Sequence, residues 1–313
     1  MPNCPITLKP VPAGQMYSPA GLKSIHPQLK HLEILQYSNE EQVRQVRMRS
    51  DRMSIQGVQP KLSAVLSLKK SAFELVDRGG RFILKPNPLE YEEVPANEAL
   101  TMRMAVAVGI EVPVHGLLAA LDGSWVYFVK RYDREGRSEK VHVEDFAQLS
   151  GLTRETKYNS SLERVAELVE KFSTFPAIEK PRLAKRLLFC FLTGNEDMHL
   201  KNFSLWMRDG VVSLSPAYDL LNTTLVPGNA KEESALPLNG KKRNLTRKLW
   251  LDYFCRERLR LTAAQTESIL ADFKKAVPTF ETLIQRSFLS GERKEVYWDM
   301  LTRRAARLGL SDG

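Results

Sequence analysis

The 313-residue chain carries 46 Lys and Arg against 37 Asp and Glu, a net charge of +9, with 43% hydrophobic and 27% charged residues. Such values fit a folded chain able to bury a large core, as one two-lobed unit or two domains. The first 16 residues have no apolar signal core and no apolar run nears the ~18 residues of a membrane span, so neither a secretion signal nor membrane insertion is indicated.

Cys4, Cys190 and Cys255 are widely spaced and form no Cys-x-x-Cys pair. A disulfide framework and a zinc site are therefore not expected, and a reducing cytoplasm fits best. The basic excess favours any polyanionic neighbour, whether nucleotide, DNA or acidic protein, without choosing among them. The densest basic run, Lys241, Lys242, Arg243, Arg247 and Lys248, reads first as a solvated face.

Residues 1–35 contain scattered Pro and Gly without a clear period, and read as an irregular segment with short elements. Ser38-Asn39-Glu40-Glu41 is a capping-box pattern that predicts a helix to about Arg49. Ser54-Ile55-Gln56-Gly57-Val58-Gln59-Pro60-Lys61 then leads into alternating Leu62, Ala64, Leu66 and Leu68, a loop into a strand. Such a loop can offer backbone amides to phosphates, although it is neither a Gly-x-Gly-x-x-Gly nor a Walker sequence.

Residues 73–76 and 81–85 predict two more strands around Gly79-Gly80. Lys85, at the end of the second, is either an ordinary strand-end charge or a lysine that reaches nucleotide phosphates. Pro95-Ala96-Asn97-Glu98 opens a helix to about Gly109, and Glu98 either caps it or pairs with Lys85. Residues 112–121 and 125–131 predict a hairpin across Asp122-Gly123. Its second strand runs into Lys130-Arg131-Tyr132-Asp133, the hinge of a small sheet lobe if residues 50–130 form one. The remainder reads as helices over 144–149, 161–173, 180–193, 246–257, 263–275, 277–287 and 291–307.

Within this helical half lies Gly194-Asn195-Glu196-Asp197-Met198-His199-Leu200-Lys201-Asn202-Phe203-Ser204, followed by Pro216-Ala217-Tyr218-Asp219. Phosphoryl transfer needs a carboxylate to accept the acceptor's proton, and an Asn and a second carboxylate to hold Mg²⁺ on the phosphates. Asp197 and Asn202 stand five positions apart, the spacing of a kinase catalytic loop, and Asp219 follows Asp197 by twenty-two. Asp197 is thus the candidate base, with Asn202 and Asp219 as candidate metal ligands. The bland alternative is a polar loop after a helix. Against it, an apolar run at 183–192 precedes the loop, and two short strands around Asp209-Gly210 follow it.

These motifs, with Phe82-Ile83-Leu84-Lys85-Pro86, Asn97-Glu98 and Arg131-Tyr132-Asp133-Arg134, resemble the HipA family of bacterial serine/threonine kinase toxins, from about residue 50 to the C-terminus. The resemblance implies an α+β, two-lobed, protein-kinase-like fold: a sheet-rich N-terminal lobe at 1–130 and a helical C-terminal lobe at 131–313. It implies ATP and Mg²⁺ as cofactors, Asp197 as base, Asn202 and Asp219 on the metal, and Lys85 on the phosphates. Gly57, Val58, Gln59, Lys61 and Lys201 are implied near the nucleotide, with Asp133 and His199. Adenine would be read by the backbone of Lys130, Arg131 and Tyr132. Ser54 matches the loop serine that such kinases autophosphorylate, where a phosphate of roughly −1.5 to −2 charge would oppose the nucleotide; otherwise Ser54 simply caps the turn.

Too few residues precede Ser54 for the small N-terminal subdomain of HipA, which makes the chain most similar to the shortened HipT toxins of three-component HipBST systems. The resemblance then implies three partners: a small HipS-like protein replacing that subdomain, a HipB-like helix-turn-helix antitoxin, and an aminoacyl-tRNA synthetase, the tryptophanyl enzyme favoured, as substrate. An apolar patch is expected where the subdomain would pack on the sheet lobe. The alternatives are a small-molecule kinase using the same three residues, or a non-enzymatic DNA-binding or scaffold module suggested only by the charge.

Overall fold

A computed structural model describes residues 1–49, 59–136, 139–153, 155–226 and 232–310. Five strands, β1 (Leu62–Ser67), β2 (Ala72–Leu75), β3 (Phe82–Lys85), β4 (His115–Ala119) and β5 (Trp125–Lys130), form an antiparallel sheet in the order β2-β1-β3-β5-β4. Side chains alternate across a strand. Phe82 and Leu84 therefore join one apolar cluster with Leu62, Ala64, Phe73, Val126 and Phe128. Ile83 and Lys85 turn to the opposite face, where α3 (Val94–Ala107) packs. The pairing of Lys85 with Tyr127 across β3 and β5 fixes the lysine over that phenol ring.

The first face is covered by the chain's own beginning. Cys4, Ile6, Val11, Tyr17, Leu29, Leu32 and Leu35 are buried against it, together with Leu22 and Ile25 of α1 (Pro19–Ile25). Ser18 starts α1 by accepting from the Gly21 amide, with Pro19 as the first helical residue. The apolar patch expected on the sheet is thus filled by residues 1–35, which have no period but enough spaced aliphatic side chains to bury that face. A helix at 39–49, α2 (Asn39–Arg49), follows as expected from its capping box.

The helical half holds α4 (Phe146–Leu149), α5 (Leu162–Phe172), α6 (Pro176–Leu192), α7 (Ala263–Arg286) and α8 (Gly291–Leu308), with a π-helix at Leu249–Arg258. Its core is continuous with α3 and with Leu117, Tyr127 and Val129 of the sheet, so one apolar cluster spans the expected lobe boundary. The two helices expected at 263–275 and 277–287 are one. Pro278 lies inside α7 and is exposed, as is Lys274 one turn earlier. Pro278 offers no N–H to the Lys274 carbonyl one turn earlier, while buried Phe273, Ala276 and Phe280 hold the helix together.

After α6 the chain returns as β9 (Ser204–Arg208) and β10 (Val211–Leu214), joined through Asp209 and Gly210, both at positive φ as a tight hairpin turn requires. Two elements have no expected counterpart: a two-residue ladder of β6 (Arg134–Glu135) with β7 (Glu139–Lys140), and β8 (His142–Asp145) pairing with β9. Residues 142–145 carry one apolar side chain, Val143, too weak a pattern to predict a strand without its pairing to β9.

His115 in β4 is buried, with Nδ1 on the Pro113 carbonyl at 2.8 Å. Burial, aided by the Arg103 charge, holds its pKa down to about 3 against an ordinary 6.5. The unfolded chain therefore takes up this proton first as pH falls. The stability linked to neutral His115 is complete above 6.5 and lost between 6.5 and about 3, by roughly 1.4 kcal/mol per pH unit. In His115→Asn, whose side-chain amide can reach the same carbonyl, denaturant midpoints should fall less steeply across that range than in the unsubstituted protein.

Candidate active site

Helix α6 is apolar nearly all round at its C-terminal end, where Leu187 to Leu192 are buried. It stops at Gly194 (φ +70), where a Cβ would lie 2.9 Å from both Asn222 Oδ1 and Met300 S. Only glycine meets both the backbone and the space, and this corner launches the loop that carries Asp197. The loop is propped from behind: the Glu196 amide donates to Thr223 Oγ1 (2.8 Å), and Thr223 Oγ1 donates to the Gly194 carbonyl (3.0 Å). Arg304 of α8 donates to Glu196 Oε1 (2.8 Å) and the Phe191 carbonyl (2.6 Å).

Asp197 is half-buried. Its carbonyl accepts from Asn202 Nδ2 and from the His199 amide, each at 2.8 Å. Because Asn202 spends its amide nitrogen there, its Oδ1 is the atom left for a cation. His199 is buried; burial pushes its pKa down, and Asp197 opposes the shift. Its ring meets Tyr158 edge-on at 5.0 Å, and the Tyr158 hydroxyl donates to Asp197 Oδ1.

Asp219 occupies the left-handed region (φ +53), a conformation that costs an ordinary residue of order 1 kcal/mol and that Asp tolerates better than most. Lys85 Nζ sits between Glu98 Oε1 of α3 (2.5 Å) and Asp219 Oδ1 (2.6 Å), and Lys61 Nζ lies 3.5 Å from Asp219 Oδ2. Lys85 and Glu98 are fully buried, whereas the Asp219 side chain keeps 29% of its surface. Burial drives the Asp219 carboxyl upward, but Lys61 and Lys85 outweigh it and hold it well below its usual range. Burial wins at Glu98, whose pKa is raised despite Lys85. At Lys85 the two carboxylates overcome burial and raise the pKa. Beside this cluster, Asn97 Nδ2 donates to the Asn222 carbonyl (2.8 Å) and the Asn222 amide to Asn97 Oδ1 (2.9 Å). This reciprocal pair fixes α3, and with it Glu98, to the Asp219 segment.

The hinge is tightly bonded. The Lys130 amide donates to the Val114 carbonyl and the Arg131 amide to the Arg81 carbonyl, each at 2.8 Å. Neither N–H is left for a ligand, which leaves the Tyr132 amide and the carbonyls of this stretch as the backbone groups that could meet one. The Arg131 guanidinium grips Asp133 at 2.9 and 2.6 Å. Burial opposes ionisation of Asp133, and the Arg131 hydrogen bonds reverse it, lowering the pKa. Tyr132 stacks on Tyr218 at 5.7 Å, and the Tyr218 hydroxyl donates to the Lys201 carbonyl (2.9 Å). Lys201 itself reaches Asp145 at 2.8 Å, the residue that caps α4.

Of the expected site residues, Lys61, Lys85, Asp219 and Glu98 thus form one charged cluster, and Asp197, His199 and Asn202 a second. Asn195 Nδ2, 3.4 Å from the Asp219 carbonyl, ties the two together. Gln59 is half-buried ahead of β1. Ser54, Gly57 and Val58 lie outside the described residues. Tyr158, Thr223 and Arg304 were not foreseen; they come from distant segments, and no local spacing marks them. Among the described residues no group of three or more His, Cys, Asp or Glu could hold a metal alone. Mg²⁺ commonly uses one or two protein ligands plus substrate phosphates, and Asn202 Oδ1 with the partly exposed Asp219 fits that donor set.

A buried strand lysine paired with a helix glutamate, facing an Asp-x-x-x-x-Asn loop and a second Asp, is the arrangement of a protein-kinase-like fold. The family model for the HipA-like C-terminal domain matches residues 53–280, and the chain belongs to that family. HipA, the serine/threonine-protein kinase toxin of Shewanella oneidensis, is 31% identical over 56% of this chain and 44% of its own. A Haemophilus influenzae protein named as a candidate kinase is 28% identical over 72% of this chain and 69% of its own. Among solved structures, Shewanella oneidensis HipA, in complex with HipB and operator DNA, superposes with a TM-score of 0.66 at 20% identity, covering 97% of this chain and 77% of that one. The Helicobacter pylori proinflammatory kinase CtkA gives 0.53 at 16% identity, covering 76% and 89%. At those identities the likeness to solved structures concerns the fold.

Proposed function

We propose that the protein is an ATP- and Mg²⁺-dependent serine/threonine protein kinase acting as a toxin. The observation that carries this is Lys85 held between Glu98 and Asp219, alongside a loop that presents Asp197 and the free Oδ1 of Asn202. Asn202 Oδ1 and Asp219 would hold Mg²⁺, which would supply positive charge to the nucleotide phosphates. Lys85 and Lys61 supply positive charge for the same phosphates. Asp197 receives the proton of the acceptor hydroxyl. Tyr132 and the hinge carbonyls hold the base, and Lys201 lies at the loop's outer side.

By family resemblance the acceptor is an aminoacyl-tRNA synthetase, tryptophanyl-tRNA synthetase first, whose modification would halt translation and growth; Ser54 is the proposed autophosphorylation site. The proposed partners are a HipB-like antitoxin and a HipS-like small protein. Pull-down of the tagged kinase from its native operon is expected to recover both, and a kinase recovered alone would refute them. The function is tested by incubating the protein with γ-labelled ATP, Mg²⁺ and a host lysate. A discrete labelled protein near synthetase mass is expected; label found only in small molecules would refute a protein kinase.

A further inference from the structure

An acceptor hydroxyl must donate to a carboxylate oxygen of Asp197 at ordinary hydrogen-bond distance before its oxygen attacks phosphorus. In this structure a hydroxyl of the protein already does so: Tyr158 Oη donates to Asp197 Oδ1. We propose that Tyr158 is an acceptor-site residue that stands in the place of the substrate hydroxyl and must be displaced from Asp197 before an acceptor can react. This rests on the reading of Asp197 as the base of a phosphotransferase.

The surroundings suit a displaceable occupant. Tyr158 is 42% exposed although its hydroxyl is engaged, so the ring is reached from solvent. Besides the hydroxyl contact, the ring packs edge-on against His199, with Lys157 Nζ 5.0 Å from its centre. The backbone link between its neighbour and the catalytic loop, from the Leu200 amide to the Lys157 carbonyl, is long at 3.4 Å. Burial and the Asp197 carboxylate both push the Tyr158 pKa up, so the phenol stays protonated and donates as a serine hydroxyl would. Tyr158 lies 39 residues before Asp197 in the sequence, so the contact is made by the fold. On displacement the reacting hydroxyl gives its proton to Asp197, its oxygen bonds to the γ-phosphorus, and the bond to the ADP oxygen breaks.

Tyr158→Phe keeps the ring on His199 and removes only the competing donor. With the full-length protein, ATP and Mg²⁺, and water as the acceptor, phosphate release should rise roughly tenfold, the scale of one hydrogen bond to a charged group. Melting of the variant is followed in parallel, and an unchanged or slower rate in a folded variant overturns the proposal. A second measurement does not depend on turnover. N-Acetylimidazole should acetylate Tyr158 several-fold faster in Asp197→Ala than in the unsubstituted protein, as read by peptide mass; equal rates overturn the contact. Phosphate found on Tyr158 would make it an acceptor and also refute the displacement reading. If no protein hydrolyses ATP or transfers phosphate while acetylation still responds to Asp197, the kinase reading has failed and the proposal falls with it.

Discussion

Asp197→Asn is expected to slow phosphoryl transfer at least ~10²-fold, because it removes the proposed base for the acceptor's proton in the transition state. The fold should survive. Asn retains an oxygen for the Tyr158 hydroxyl, and the contacts from Asn202 and His199 are to the backbone carbonyl. Melting should therefore stay close to that of the unsubstituted protein, and near-normal transfer of labelled phosphate would sink the assignment of Asp197. Asp219→Asn should abolish transfer too, but with a lower melting temperature, since Lys61 and Lys85 both lose their shared carboxylate.

The largest stability effect is expected at Lys85. In Lys85→Met the fully buried Glu98 loses its counter-charge, and breaking such a buried pair costs ~3–5 kcal/mol, a fall in Tm of roughly 5–8 °C for a chain of this size. The sign of the pH dependence follows from Glu98. Its folded pKa lies above the unfolded value, so the folded state binds the proton more tightly and loses stability as pH rises through that interval. The deficit of Lys85→Met should accordingly narrow in acid, where protonated Glu98 needs no partner. Adding Glu98→Leu should restore much of the melting temperature at neutral pH while transfer stays lost. A single variant that melts with the unsubstituted protein would show that the buried pair does not bear on stability.

Much of the site was legible because its chemistry is concentrated in short segments. Asp197, His199 and Asn202 sit within six residues on a loop bounded by an apolar helix and a hairpin, so spacing alone places them together. Strand alternation likewise sends Lys85 to the face opposite Leu84, and the period of 2 survives folding because one face is buried in each cluster. The choice left open for Glu98, cap or partner, is decided by the structure: its carboxylate goes to Lys85 and makes no side-chain cap.

Other features were illegible for physical reasons. Residues 1–35 carry no secondary-structure period, and their role as the cover of the sheet arises only when the sheet offers an apolar face. Pro278 reads as a helix break locally, yet buried side chains on either side of it outweigh one lost hydrogen bond. The Lys130 and Arg131 amides looked available for adenine until the sheet claimed both.

The sequence by itself marked most of the strands and helices, the motifs that resemble the family, and the candidate residues for the chemistry, because apolar periodicity and motif spacing are local properties of the chain. Only the tertiary structure decided how the charges are paired. Lys61, Lys85, Glu98 and Asp219 lie up to 158 positions apart, and Tyr158 lies far from Asp197 in the chain. Contacts of that kind depend on where the core places each backbone segment, and a buried charge takes whichever partner the fold brings within reach.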